Sequence, residues 1–117
     1  MIKIWHNPRC SKSREAKAIL EDANVEFEIF EYLKEPFRKD DIKDIIKKLN
    51  ITDVKDMLRK KEAEYKDNNI EDKSLDEVLD ILLDIPKLIE RPIIIKDNKA
   101  VIARPMENLI NFLDNKS

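Results

Sequence analysis

Apolar residues recur along this chain at two periods, and the switches between them lay out its elements. Residues 2–5 alternate weakly and predict a short strand. Over 11–23, Ala16, Ile19, Leu20 and Ala23 fall at i, i+3, i+4 and i+7, one face of a helix. Over 25–30, Val25, Phe27 and Ile29 alternate with Glu26 and Glu28, the period of a strand. The chain therefore opens β-α-β, and the connection is long enough only for a crossover helix, which favours a parallel strand pair. Pro36 closes the strand region. Helical spacing returns at Ile42, Ile45, Ile46 and Leu49, and a short helix is expected over about 53–59. A further helix is expected over 74–84, where Ser74-Leu75-Asp76-Glu77 has capping-box spacing ahead of Val78, Leu79 and Leu82. Pro86 and Pro92 bracket the exit. Ile93-Ile94-Ile95 and Ala100-Val101-Ile102 flank Lys96-Asp97-Asn98-Lys99 and read as a hairpin. Pro105 fits the first position of a last helix, whose stripe is Met106, Leu109, Ile110 and Leu113.

The order is β-α-β, a helical insertion over about 36–88, then β-β-α. With the insertion removed, this is an α/β layout of the thioredoxin-like kind, a mixed sheet covered by helices. At 117 residues, with no internal repeat and no linker-like stretch, residues 1–117 are expected to form one domain.

Composition narrows the chemistry. The chain carries 23 basic and 25 acidic side chains, a net charge of −2, which argues against direct nucleic-acid binding. No apolar run approaches the ~20 residues that span a bilayer, and no secretory signal is visible. Glycine is absent, so Gly-rich phosphate loops are excluded. The single cysteine allows no internal disulfide and no Cys-rich metal site, and the single histidine allows no multi-histidine site. No bound metal or organic cofactor is expected. The cysteine usage fits the cytosol, and a monomer is the default expectation.

The lone cysteine, Cys10, lies in Ile4-Trp5-His6-Asn7-Pro8-Arg9-Cys10-Ser11-Lys12-Ser13-Arg14, which reads as a strand end, a tight turn and the first turn of a helix. A thiol there faces unpaired backbone N–H groups and the positive end of the helix dipole, which favour the reactive thiolate. Arg9, Lys12 and Arg14 lie within four residues, and no apolar neighbour in sequence would bury the sulfur. The alternative is a small buried hydrophobe, a common fate of a free cysteine. Ser13 stands where a Cys-x-x-Cys motif would have its second thiol. It is either a well-placed residue of the first helical turn or a hydroxyl that hydrogen-bonds to the thiolate, and in both cases Cys10 must form any disulfide with an external thiol. His6 has the pKa of a general base, or it orients the loop. Arg59, Arg91 and Arg104 form the next group. Arg91 precedes Pro92 and Arg104 precedes Pro105, and an Arg-Pro pair restricts the backbone that aims the side chain. Guanidinium groups match tetrahedral oxyanions bidentately, so three converging on one thiolate would make an oxyanion pocket.

These residues resemble the arsenate reductase family of the glutaredoxin-coupled, ArsC-like type. The likeness lies in Trp5-His6-Asn7-Pro8-Arg9-Cys10 with Ser13-Arg14, in Leu58-Arg59-Lys60 followed by Tyr65, in Glu90-Arg91-Pro92-Ile93, and in Ala103-Arg104-Pro105. The chain is shorter than the best-known members and carries Arg9, Ser11 and Lys12 where those have small residues. The resemblance implies a thioredoxin-like core with a helical insertion and a cis Arg91-Pro92 bond. It implies Cys10 as the nucleophile, Arg59, Arg91 and Arg104 as anion ligands joined by Arg14, and His6 and Ser13 tuning the thiolate, with Asn7 and Pro92 shaping the site. Arsenate or a similar oxyanion would be the substrate, glutathione the co-substrate and glutaredoxin the partner. The same fold includes Spx-type regulators that bind RNA polymerase. Those usually carry a second cysteine where this chain has Ser13. A related oxidoreductase with another substrate is the remaining alternative.

Overall fold

The structure, a computed structural model, describes residues 2–114. Residue 1 and residues 115–117 of the expected domain lie outside it. Four short strands, β1 (Ile2–Trp5), β2 (Phe27–Phe30), β3 (Ile93–Lys96) and β4 (Lys99–Ile102), form one mixed sheet in the order β2-β1-β3-β4. β1 and β2 run parallel; β1–β3 and β3–β4 are antiparallel. The crossover between β1 and β2 is helix α1 (Ser11–Asp22), as the β-α-β pattern requires.

The two central strands are apolar on both faces, so helices must cover both. Ile2, Ile4 and Ile94 pack with Ala16 and Leu20 of α1, with Ala103, and with Leu109 of the last helix, α5 (Glu107–Asp114). Trp5 and Ile93 face the other way. They join Ile42 and Ile45 of α2 (Lys39–Leu49) and Val78, Leu79 and Leu82 of α4 (Leu75–Asp84). Between these helices lie a short α3 (Ala63–Asp67) and 3-10 turns at Val54–Met57 and Ile70–Asp72, and a third 3-10 turn, Pro86–Leu88, follows α4. The helical insertion thus stands between β2 and β3, and the thioredoxin-like α/β arrangement expected from the element order is present.

Four local readings need correction. Ala23 is exposed just past α1, and the buried stripe of that helix is Ser13, Ala16 and Leu20. The apolar period therefore starts one turn earlier, on a polar residue. Ile29 is 42% exposed although it alternates correctly, because β2 is an edge strand with a neighbour on one flank only. The helix expected over 53–59 is a single 3-10 turn. Asp53 caps it by accepting from the Lys55 N–H at 3.0 Å, and Leu58 then turns extended (φ −112°, ψ 152°) to bridge Ile89. Pro105 stands two residues ahead of α5 instead of opening it. Both Arg91-Pro92 and Arg104-Pro105 are cis; only the first was expected.

A chain without glycine still needs left-handed backbone. Asn24, Asn50, Asn69 and Asp97 take φ between 50° and 60°, the residue types that tolerate it best after glycine. Asp97 does so in the two-residue β3–β4 turn, and Asn50 at the C-terminus of α2.

The capping box forms as expected: the Ser74 N–H donates to Glu77 Oε1 at 3.0 Å and the Glu77 N–H to Ser74 Oγ at 3.4 Å. Ser74→Ala is predicted to lower unfolding free energy by about 1 kcal/mol. Urea denaturation checks this, with an unchanged m-value separating loss of the cap from a change in compactness.

Candidate active site

The site sits where β1, β2 and β3 release the chain at one end of the sheet. The parallel ladder continues one residue past Trp5, through the His6 N–H to the Phe30 carbonyl at 2.9 Å. The loop then closes on itself. The Arg9 N–H donates to Asn7 Oδ1 (3.0 Å), the Cys10 N–H to the Asn7 carbonyl (3.0 Å), and Arg14 Nη1 to the Pro8 carbonyl (3.1 Å). Ser13 fastens the loop from below. Fully buried on the inner face of α1, its hydroxyl lies 2.7 Å from His6 Nδ1 and accepts from the Asn7 N–H at 3.0 Å. Asn7, His6 and Ser13 together hold the turn that presents Cys10.

Cys10 is the N-cap residue of α1, with extended backbone (φ −94°, ψ 124°). That position sets the sulfur at the first helical turn, near the Lys12 and Ser13 backbone N–H groups. The residue is only 8% exposed, which its polar sequence neighbours do not suggest. The cover comes instead from the far end of the chain.

The hairpin register explains that cover. Ile93 pairs with Ile102, and the Ala103 N–H donates to the Pro92 carbonyl at 3.1 Å, so one step further out Arg91 stands opposite Arg104. Arg104 Nε donates to the Arg91 carbonyl at 2.6 Å, and its Nη2 donates to Cys10 Sγ at 3.6 Å. Arg59 arrives by the Leu58–Ile89 bridge, with its N–H donating to the Leu88 carbonyl at 2.7 Å and the Glu90 N–H to the Met57 carbonyl at 2.8 Å. The 3-10 turn that replaces the expected helix is therefore what carries Arg59 to the site. All three arginines line one cleft of about 470 Å³, together with Leu58, Lys60, Lys61, Glu62 and Glu90. A second cleft, of about 370 Å³, holds none of these arginines, and Cys10 lines neither cleft.

Carboxylates share the cations. Arg59 Nη2 meets Glu62 Oε1 at 2.6 Å, and Arg104 Nε lies 3.6 Å from Glu90 Oε1. Five cationic side chains against two carboxylates leave the cleft positive.

Burial alone pushes the Cys10 thiol up. The Ser13 backbone N–H, the Arg91 charge, the Lys12 backbone N–H and a hydrogen bond from Arg91 together outweigh it, and the thiol titrates below its ordinary value. Ser13 thus serves the sulfur through its main chain, while its hydroxyl holds His6 and Asn7. Lys12 also acts through its backbone, its ammonium being 3.6 Å from Glu15. Of the three cations next to Cys10 in sequence, Arg14 is placed on the Pro8 carbonyl and Arg9 is exposed. The charge beside the sulfur comes from residues some eighty to ninety positions away. His6 is held below its ordinary value, first by burial and then by the Lys17 charge, so its ring is neutral near pH 7.

One residue at the site escapes sequence reasoning. Tyr32 is 2% exposed and stacks on Trp5 with ring centroids 5.8 Å apart, and its hydroxyl has no hydrogen-bond partner. Burial raises its phenol to about 12, modulated by the charges of Arg91, Arg59, Cys10 and Glu90. The signal available was positional: a residue just beyond β2 lies beside the loop just beyond its parallel partner β1.

A model of the ArsC family matches residues 5–112, nearly the whole chain. The chain belongs to the ArsC family. Across 114 residues it is 40% identical to the uncharacterized protein YfgD of Escherichia coli, covering 96% of each. It is 41% identical over 110 residues to an arsenate reductase of Neisseria meningitidis, covering 92% of this chain and 94% of that one. The solved structure of an arsenate reductase from Vibrio cholerae superposes with a TM-score of 0.90 at 36% identity, over 94% of this chain and 95% of that one. For this ArsC-family member no helix among the described residues is long and apolar enough to cross a membrane.

Two predictions follow the electrostatics. Rates of Cys10 alkylation by iodoacetamide against pH are expected to give an apparent pKa below the ~8.5 of a free thiol, and Arg91→Ala is expected to move that midpoint upward. For His6, the unfolded chain takes up a proton near 6.5 that the native ring accepts only at lower pH. Its contribution to stability is therefore full above 6.5 and falls as pH drops through and below that value. Urea midpoints at pH 7.5 and 5.5 are expected to differ less in His6→Gln than in the unsubstituted protein.

Proposed function

We propose that this ArsC-family protein reduces arsenate to arsenite, with the Cys10 thiolate as nucleophile and an external thiol as reductant. The observation that carries the reading is the Cys10 sulfur at the N-terminus of α1, 3.6 Å from an Arg104 guanidinium nitrogen that borders the three-arginine cleft. An arsenate dianion docks against Arg59, Arg91 and Arg104, exchanging its oxygens for the Glu62 and Glu90 carboxylates that now neutralise part of that charge. The thiolate attacks arsenic, an S–As bond forms, and an arsenate oxygen leaves as water after protonation. The helix N-terminus stabilises the thiolate before attack, and the guanidinium groups stabilise charge on the arsenate oxygens during it.

The second half needs a thiol that this chain does not contain. Glutathione attacks the Cys10 sulfur, the S–As bond breaks, and its electron pair stays on arsenic, taking As(V) to As(III). The two sulfurs are oxidised to a mixed disulfide, which balances the two electrons. Glutaredoxin then reduces that disulfide by thiol exchange and restores the Cys10 thiolate. Ser13, in the place of a second thiol, leaves no internal route. His6, buried and bonded to Ser13, acts by holding the loop.

Cys10→Ser is predicted to lower arsenate turnover with glutathione and glutaredoxin to the uncatalysed background, with its thermal midpoint close to that of the unsubstituted protein. Retention of the full rate in that variant would overturn the mechanism.

A further inference from the structure

Tyr32 poses a question that packing does not answer. A phenol buried among apolar side chains normally finds a hydrogen-bond partner, and leaving one unpaired is destabilising. Phenylalanine would fill the same space against Trp5 without that cost. Arg91 Nε is likewise buried without a partner. Both residues leave the sheet at the Cys10 end. Phe30 and Ile93 are the rungs flanking Trp5, with Tyr32 two residues after the first and Arg91 two residues before the second. The surrounding guanidinium groups only donate, so none can accept from the hydroxyl. The Cys10 sulfur and the Glu90 carboxylate also act on the phenol, but neither accepts from its hydroxyl.

We propose that the Tyr32 hydroxyl and the Arg91 Nε–H form a buried donor pair beside Cys10 that receives an oxygen of the bound tetrahedral oxyanion. The inference rests on the oxyanion reading above and adds to it a neutral donor from the β2 side, a segment outside the three arginine motifs. With its phenol raised to about 12, Tyr32 keeps its proton throughout the working range and binds as a donor. A neutral donor sharpens geometry without adding to the repulsion among the cations. It rewards a tetrahedral anion deep enough to meet both the sulfur and the phenol.

The test is Tyr32→Phe in the full chain, with inorganic arsenate and inorganic phosphate as probes. Four readouts are expected. Protection of Cys10 from iodoacetamide should require about tenfold more of either anion, and the KM for arsenate should rise by a similar factor, the effect of one lost hydrogen bond to a charged acceptor. The pH midpoint of Cys10 alkylation should stay where it is, since a neutral phenol leaves the field at the sulfur unchanged. The thermal midpoint should hold or rise. Unchanged protection and KM would overturn the donor pair while leaving the reductase reading intact. An upward shift of the Cys10 midpoint would assign the hydroxyl to the sulfur, and a lower thermal midpoint or failure to fold would assign it to the fold; each overturns the proposal. If the unsubstituted protein shows neither anion protection nor arsenate turnover, the reductase reading fails and the donor pair falls with it.

Discussion

A sulfur whose thiol is drawn below its ordinary pKa beside guanidinium groups is the interaction on which the Cys10 end of this molecule depends. Neither partner is local to the other. The sulfur is set by the turn after β1 and the start of α1; the cations are set by the rung where Arg91 faces Arg104 and by the bridge that delivers Arg59. Because β1 lies between β2 and β3 and carries buried side chains on both faces, its exit loop has one place to go. The hairpin base must meet it there. Register alone thus converts three separate sequence segments into one electrostatic site, and a slip of one residue in β3–β4 would turn the arginines to the wrong side.

The same site carries its own counterions. Glu62 and Glu90 hold Arg59 and Arg104 in the free protein, so like charges do not stand uncompensated in one cleft. Lys87 in turn meets Glu62 at 3.8 Å and Glu64 at 2.6 Å, which ties the rim to the helical insertion. Under the proposed function, an incoming anion would compete with carboxylates instead of water alone. Competition of this kind would favour a doubly charged, multidentate oxyanion over chloride or a single carboxylate.

Much of this was legible in the sequence. The β-α-β opening, the helical insertion and the β-β-α close follow from periodicity, and the Ser74 box from its spacing. Cys10 stood out because a strand end, a turn and a helix start define its surroundings without tertiary knowledge. Arg91 and Arg104 stood out through the prolines beside them. Three things were not legible. The cations adjacent to Cys10 in sequence carry less of its electrostatics than the distant ones, since side-chain direction is settled by packing. The extended path of Leu58–Arg59 depends on a bridge to Ile89 that no local propensity encodes. Tyr32 reads as an ordinary core aromatic until the missing partner of its hydroxyl is seen.

The left-handed turns built from Asn24, Asn50, Asn69 and Asp97 have a consequence for the unfolded chain. Every residue of this protein bears a Cβ atom, so its disordered ensemble samples fewer backbone states than that of a glycine-containing sequence of equal length. Less configurational freedom is surrendered on folding, chiefly in the connections between elements. The resulting stiffness belongs to the whole contour of the polypeptide, the turn ahead of α1 included.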